Sequence, residues 1–322
     1  MTTAPITHTV PPHLDGIRVD LAVAELFETS RARAKTLAEE GRVKIDGKRV
    51  RKGVRVEAGQ VLALDEPPPP ADFEALADPD APLVVVYEDD ACVIVDKPAG
   101  QPSHPLRPDE KGTVANALVA RFPSMRGVGF APREPGLVHR LDNDTSGLLL
   151  AAKNAGAFET LVEALRSGRV DKRYLALCAG EVRAPQTIAS PIAHHDARKM
   201  RVADAGEKGA RAARTEVLTS RAIDRRGSAG SAADDRRGSA GSAADERGSL
   251  VEVRAHHARR HQVRVHLASI GHPLFGDALY GGPSIEGLSR HALHASKLAF
   301  AGPGGDVDVS SALPSDLARL VG

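Results

Sequence analysis

The chain of 322 residues contains no tryptophan, and only 3% of it is aromatic, three Tyr and seven Phe. Its core must therefore be assembled from Val, Leu, Ile and Ala, and each tyrosine is rare enough to be weighed individually. Cysteine is almost absent too. Cys92 and Cys178 each sit in an apolar stretch. That excludes a disulfide framework and a cysteine-based zinc site, and suits two core thiols in a reducing compartment. No run approaches the ~18 consecutive apolar residues that a membrane span needs. Residues 1–10 lack the apolar centre of a secretory leader. A soluble, cytoplasmic protein with no membrane partner is expected. Net charge is missing as well: 43 Lys+Arg face 42 Asp+Glu, so any attraction to a polyanion must come from local clustering.

What is present falls into two domains. From Leu14 to Asp65, Val19, Val23, Leu26 and Phe27 recur at helical spacing. Ser30 is placed to cap a second helix over Arg31–Glu40, and Gly41 to stop it. Asp46-Gly47 then signals a tight hairpin returning through Arg49-Val50-Arg51. The expectation is a small helix–helix–hairpin module. Between Arg31 and Arg55 it carries ten basic and three acidic residues. Taken alone, a charged helix is usually a solvated face. An excess of seven positive charges in so small a unit favours a phosphate backbone instead, with Arg31, Arg33, Lys35, Arg42 and Lys44 as contact candidates.

Pro67–Pro70 and the acidic stretch behind them, over 66–80, predict a stiff linker. From 81 to 322 the pattern is many strands and few helices. Strands are expected at Leu83–Tyr87, Cys92–Asp96, Leu148–Ala152, Tyr174–Cys178, Thr215–Thr219 and Leu250–Arg254. Helices are expected from Thr113, through Phe158–Leu165 to a stop at Gly168, and from His261 to Ile270. An α+β fold is expected: a small α/β module that binds RNA or DNA, followed by a larger domain on a mixed, largely antiparallel sheet with flanking helices. One segment stands apart. Asp224–Asp234 is repeated without change as Asp235–Asp245. Gly, Ser, Ala and balanced charges build no core, so 224–249 is expected to be a disordered insertion in a hairpin loop.

Four runs can carry chemistry. In His139-Arg140-Leu141-Asp142-Asn143-Asp144-Thr145-Ser146-Gly147, strand-like Leu137-Val138 leads to a carboxylate beside a tight turn. By composition alone Asp142 or Asp144 reads as a turn cap. In Arg259-Arg260-His261-Gln262-Val263-Arg264, residues His261, Arg264 and Leu267 lie three apart and can share part of a helix face, and an arginine near a buried carboxylate keeps it ionised. Tyr174, in Lys172-Arg173-Tyr174, begins a strand, where a phenol can stack on a base or move a proton; an isolated tyrosine is more often core. Asp96-Lys97-Pro98-Ala99-Gly100 with Ser103-His104-Pro105 displays a lysine and a histidine on a loop.

Together, and in order, these runs resemble the RluA family of RNA pseudouridine synthases. Gly271-His272-Pro273, Gly276-Asp277, Tyr280-Gly281 and Leu293-His294-Ala295 extend the match over about Leu83 to Phe300. The N-terminal module resembles the RNA-binding domain named for ribosomal protein S-four. The resemblance implies isomerisation of uridine to pseudouridine in RNA, in large-subunit ribosomal RNA by family analogy or in transfer RNA, without metal or cofactor and by a monomer. It implies Asp142 as nucleophile or electrostatic partner at the ribose carbon, Arg264 paired with it, and Tyr174 stacked on the base and serving proton transfer. The target must leave its stack. Arg140 is the candidate to fill the vacated space, and His139, Lys97, His104 and Arg259 are candidate contacts to the RNA. Where the family has Thr-Gly before Arg-Thr-His-Gln, this chain has His257-Ala258. Two alternatives accompany this reading. One is a non-catalytic ribosome-assembly protein on the same fold. The other is a metal-dependent hydrolase, raised by His194-His195, His256-His257 and the spaced His291 and His294, though no His-Glu-x-x-His pattern occurs.

Overall fold

In the computed structural model, residues 5–27, 29, 31–50, 53–65, 73–196, 198–224 and 247–321 are described. Ser30, Arg51, the Pro67–Pro70 run and the repeat over 225–246 lie outside them. The chain divides into two units, Met1–Glu74 and Ala75–Gly322.

In the first unit Asp46 and Gly47 both take positive φ, 47° and 78°, the backbone a two-residue hairpin turn demands. The unit contains β1 (Ile6–Thr9), α1 (Val19–Leu26), α2 (Arg31–Glu39), β2 (Val43–Ile45), β3 (Lys48–Arg49) and β4 (Val61–Leu64). It is more than the expected helix–helix–hairpin module. β4 inserts between β1 and β2 to give an antiparallel sheet in the order β1-β4-β2-β3. Val19, Val23, Leu37, Val43, Leu62 and Leu64 are fully buried between that sheet and the helices. Without the sheet, the apolar stripes of two such short helices would have little to pack on.

The second unit runs β5 (Val84–Glu88), β6 (Cys92–Lys97), α3 (Val114–Arg121), β7 (Ser146–Ala152), α4 (Ala155–Arg166), β8 (Asp171–Ala179), β9 (Gln186–Ile188), β10 (Ile192–His194), β11 (Met200–Val202), β12 (Thr215–Asp224), β13 (Arg247–Ala255), α5 (Gln262–Ser269), β14 (Leu293–Gly302), β15 (Gly305–Ser310) and α6 (Ser315–Ala318). Among the described residues, nine strands form one sheet, β5-β6-β7-β14-β8-β13-β12-β9, with β15 also on β14; β10 and β11 pair separately. Every pairing in that sheet is antiparallel except β7 with β14, which meet in parallel at His294↔Ser146 and Ala295↔Gly147. β7 is buried along its whole length because both faces are covered. Leu148 and Leu150 pack with α4, and Leu149 packs with α3. Thr113 and Asn116 close a reciprocal capping box at the start of α3, as the sequence places it.

Three expectations are corrected. The linker does not extend to 80. Ala75 is buried, its N–H donates to the Pro132 carbonyl, and Asp78 accepts the Gly112 N–H at 2.9 Å. Residues 247–249 are not insertion but the first residues of β13, in register with β12 up to Asp224↔Arg247. Leu137 makes only an isolated bridge to Ala151, so Asp142 lies on a loop entering β7 and does not end a strand.

Candidate active site

The loop Leu141–Thr145 is held from two directions. From the segment after β6, the Ser103 hydroxyl donates to the Leu141 carbonyl at 2.9 Å and accepts the Leu141 N–H at 3.1 Å. The Gly100 N–H and the Lys97 ammonium both donate to the Asn143 carbonyl at 2.8 Å. From the segment before β14, Arg290 donates to the Asp144 carbonyl at 3.1 Å, and His291 Nε2 bonds the Thr145 hydroxyl at 2.7 Å. Backbone groups so tied have little freedom, and Asp142 is carried between them, its carboxylate only 18% exposed.

Arg264, on α5, reaches that carboxylate. Its Nη1 donates to Asp142 Oδ2 at 3.0 Å. Its Nε and Nη2 donate to the two oxygens of Asp277 at 2.7 and 2.8 Å, a bidentate pair that fixes the plane of the guanidinium. Asp277 is buried, and Arg264 also lies over the Tyr280 ring at 5.2 Å. His261 is not on the helix face with Arg264: it is the residue before α5, in a left-handed conformation at φ 55°, and Leu267 turns into the core. His261 Nδ1 bonds the Tyr280 hydroxyl at 2.9 Å, and its Nε2 stands 3.8 Å from Asp142.

These contacts set the charges. Burial works against an ionised Asp142, but the facing cations, His261 when protonated and Arg264, hold the carboxyl below the usual range. Burial opposes charge on Arg264, yet the Asp277 bond and the Asp142 field keep it firmly protonated. His261 is pushed down to about 4 by burial, with Arg264 and Arg260 adding to it against the pull of Asp142 and Asp277, so its imidazole is neutral at pH 7.

Tyr174 and Lys172 stand two apart on β8 and thus on one face of the sheet. Both line the cleft with Asp142, Arg264, Arg140 and His139. Tyr174 packs among core residues, and burial, then the Asp142 charge, raises its phenol pKa. Lys172 is buried on the cleft wall, its pKa lowered to about 8 by burial and by Arg259. Arg140 is exposed at the mouth. Arg259 lines the same wall, its Nε on the Ala212 carbonyl at 3.2 Å.

Two candidate RNA contacts are turned elsewhere. Lys97 is 1% exposed, and its ammonium is spent on the carbonyls of Pro98, Gln101 and Asn143. It ties down the Asp142 loop. His104 is buried with Nε2 3.4 Å from Glu134, in a neighbouring cavity. His139 keeps its place in the cleft wall, but its Nε2 accepts the Leu150 N–H at 3.1 Å, which anchors the segment to β7. In the first unit, Arg31 and Lys35 are exposed and Arg33 half-buried. Arg42 pairs with Glu40 at 3.1 Å and Lys44 with Asp65 at 2.6 Å, so part of the positive excess is met locally.

Three histidines of the hydrolase alternative have other partners: His256 with Glu216, His291 with Thr145, and His294 with Ser146. Asp277 and Tyr280 are among the site residues to which the sequence alone assigned no role. Their only signal was membership of the Gly276-Asp277 and Tyr280-Gly281 runs.

Known proteins of one family are similar to this chain. The RNA pseudouridylate synthase family matches residues 91–269, and the S4 domain matches 17–62. "Ribosomal large subunit pseudouridine synthase D" of Xanthomonas campestris is 34% identical, with 97% of this chain and 90% of that protein covered. The protein of the same name from Pseudomonas aeruginosa is also 34% identical, over 97% and 93%. Among solved structures, Human RNA Pseudouridylate Synthase Domain Containing 1 is 26% identical with a TM-score of 0.51, over 72% of this chain and 83% of that one. The human Domain Containing 4 protein, at 20% identity and a TM-score of 0.52 over 73% and 90%, shares the fold. The chain belongs to the RluA family of RNA pseudouridine synthases and joins an S4 domain to that family's catalytic fold.

Proposed function

We propose that the chain converts specific uridines of large-subunit ribosomal RNA to pseudouridine, in the cytoplasm and as a monomer, with Asp142 as the catalytic carboxylate. The carrying observation is the Arg264–Asp142 contact at 3.0 Å in a cleft that Tyr174 also lines. The names of the 34% identical relatives support ribosomal RNA over transfer RNA. In this reading the bond from ribose C1′ to ring N1 breaks, the base turns, and C1′ joins C5. A proton leaves C5 and one is gained at N1, so no oxidant or reductant is needed. Asp142, kept ionised by Arg264, acts at the ribose side as nucleophile or electrostatic partner. Tyr174 stacks under the turning base and serves the proton transfer. Arg140, at the cleft mouth, takes the space the flipped uridine leaves. Lys172 and Arg259 offer the cleft wall as cations for the flanking phosphates. The exposed Arg31 and Lys35 of the S4 domain add affinity that does not depend on sequence.

Mapping pseudouridines across total RNA, with the gene present and deleted, identifies the target; sites in transfer RNA alone would overturn the ribosomal assignment. On the RNA so found, Asp142→Asn is expected to lower conversion by at least about a thousandfold while RNA affinity stays within about twofold. Substantial turnover by the variant would remove Asp142 from the chemistry.

A further inference from the structure

Beside the Asp142 cleft lies a second cavity, and it is the roomier of the two, about 450 Å³ against about 80 Å³. The two share a wall made of His139, Arg140, His257, Ala258 and Arg259. The far side is apolar, built by Leu137 and Val138 from the segment ahead of the catalytic loop and by Val162 and Leu165 of α4. At its edge Phe130 is 57% exposed, braced edge-to-face on Phe158 at 4.8 Å. The Phe130 ring thus leaves an aromatic face open at the cavity mouth. The remaining lining is cationic. Arg140, Arg166, Arg211 and Arg259 contribute guanidiniums, while the one carboxylate, Glu134, has Arg133 Nε at 3.8 Å and His104 Nε2 at 3.4 Å.

An apolar floor with an aromatic edge and an arginine rim is the chemistry that takes a nucleobase by its face and its phosphates by charge. A volume of this size falls within the range of small-molecule sites and leaves room for a purine. Continuity with the Asp142 cleft selects the occupant. An RNA strand with its uridine in the cleft can lay an adjacent nucleotide across the shared wall. That wall is also unsettled: His257 Nδ1 is shielded from solvent and has no hydrogen-bond partner among the described residues.

We propose that this cavity is a second base subsite, which holds the base of the nucleotide beside the target uridine on Phe130 and the α4 floor and so sets the sequence context the enzyme accepts. The proposal rests on the RNA reading given above.

The test uses full-length enzyme and a ribo-oligonucleotide containing the mapped uridine. 2-Aminopurine is placed in turn at each flanking position, and its fluorescence is read with wild type and with Asp142→Asn, so binding is scored without turnover. One flank is expected to show strong quenching that Phe130→Ala abolishes. In parallel, an abasic residue at that flank is expected to lower kcat/KM about tenfold in wild type but less than about twofold in Phe130→Ala. Leu165→Trp, which fills the cavity from its floor, is expected to give the same loss of coupling. Quenching at no flank, or losses from the abasic residue and from Phe130→Ala that multiply independently, would overturn the subsite. Quenching without any conversion by wild type would instead overturn the catalytic reading and leave the subsite standing.

Discussion

Arg264 serves two carboxylates with one planar fork, and the division of its donors decides what each does. Two donors go to Asp277, which is buried, and one goes to Asp142, which faces the cleft. Asp277 is thus a positioning residue that aims the guanidinium. Asp277→Asn leaves a buried guanidinium with half its charge compensation, and we expect a loss of about 3–5 kcal/mol in stability. We also expect kcat to fall by about a hundredfold through misplacement of the Arg264–Asp142 pair, with KM little changed. Urea unfolding together with single-turnover kinetics checks both; an unchanged kcat would show that Arg264 holds its aim unaided. At this scale the sequence was readable where chemistry is local. Asp142 stands in a distinctive run, and an arginine on a following helix is a natural partner. It was not readable where the fold supplies the partner. Nothing around Asp277 announces that it closes a fork with a residue 13 positions earlier. Lys97 looked like a surface cation because lysines are almost never fully buried; three converging carbonyls are what make its burial tolerable.

At the scale of elements, the decisive contact is the two-residue parallel meeting of β7 and β14, just past the Asp142 loop. There Gly147 has φ 110°, and a Cβ on it would lie 2.2 Å from the Ala295 carbonyl oxygen. Only glycine permits that approach. Gly147→Ala is expected to cost about 3–5 kcal/mol from backbone strain and forced separation of the strands, and to lower activity by displacing Thr145 and Asp142. A denaturant midpoint within error of wild type would contradict this account. Apolar strands such as β6 and β7 were visible as runs. β14 was not: with His294, Ser296 and Lys297 it lacks either a clean alternation or a continuous apolar stretch, yet it occupies the middle of the sheet. Similarly, β1 has an exposed pattern throughout and is a strand only because β4 lies beside it.

For the molecule as a whole, the buried histidines dominate the response to acid. Burial is the leading cause in each case: His139 is lowered to about 3, and His104, His261 and His291 to about 4. In the unfolded chain each titrates near ~6.5. As pH falls from about 6.5 towards 4, the unfolded state binds protons that the folded state refuses, so stability falls across that window and is fully present above it. Asp142, held low, adds its loss only below the ordinary carboxylate range near ~3.9. Urea midpoints measured at closely spaced pH values are expected to drop steeply between 6.5 and 4, with a slope approaching four protons. A flat midpoint over that interval would mean that these imidazoles accept protons without disturbing the fold.

The clamp on the Asp142 loop also imposes an order in time. Its first half comes from residues 97–103, but Arg290 and His291 arrive almost 150 residues after Asp144 and Thr145, and the strand they lead into is the one that joins β7 to β8. During synthesis the S4 region is complete long before, and contacts this distant in sequence form late. A nascent chain therefore acquires its RNA-binding module first and its fixed carboxylate last, so a chain halted before residue 290 has a means of holding RNA but no organised centre with which to modify it.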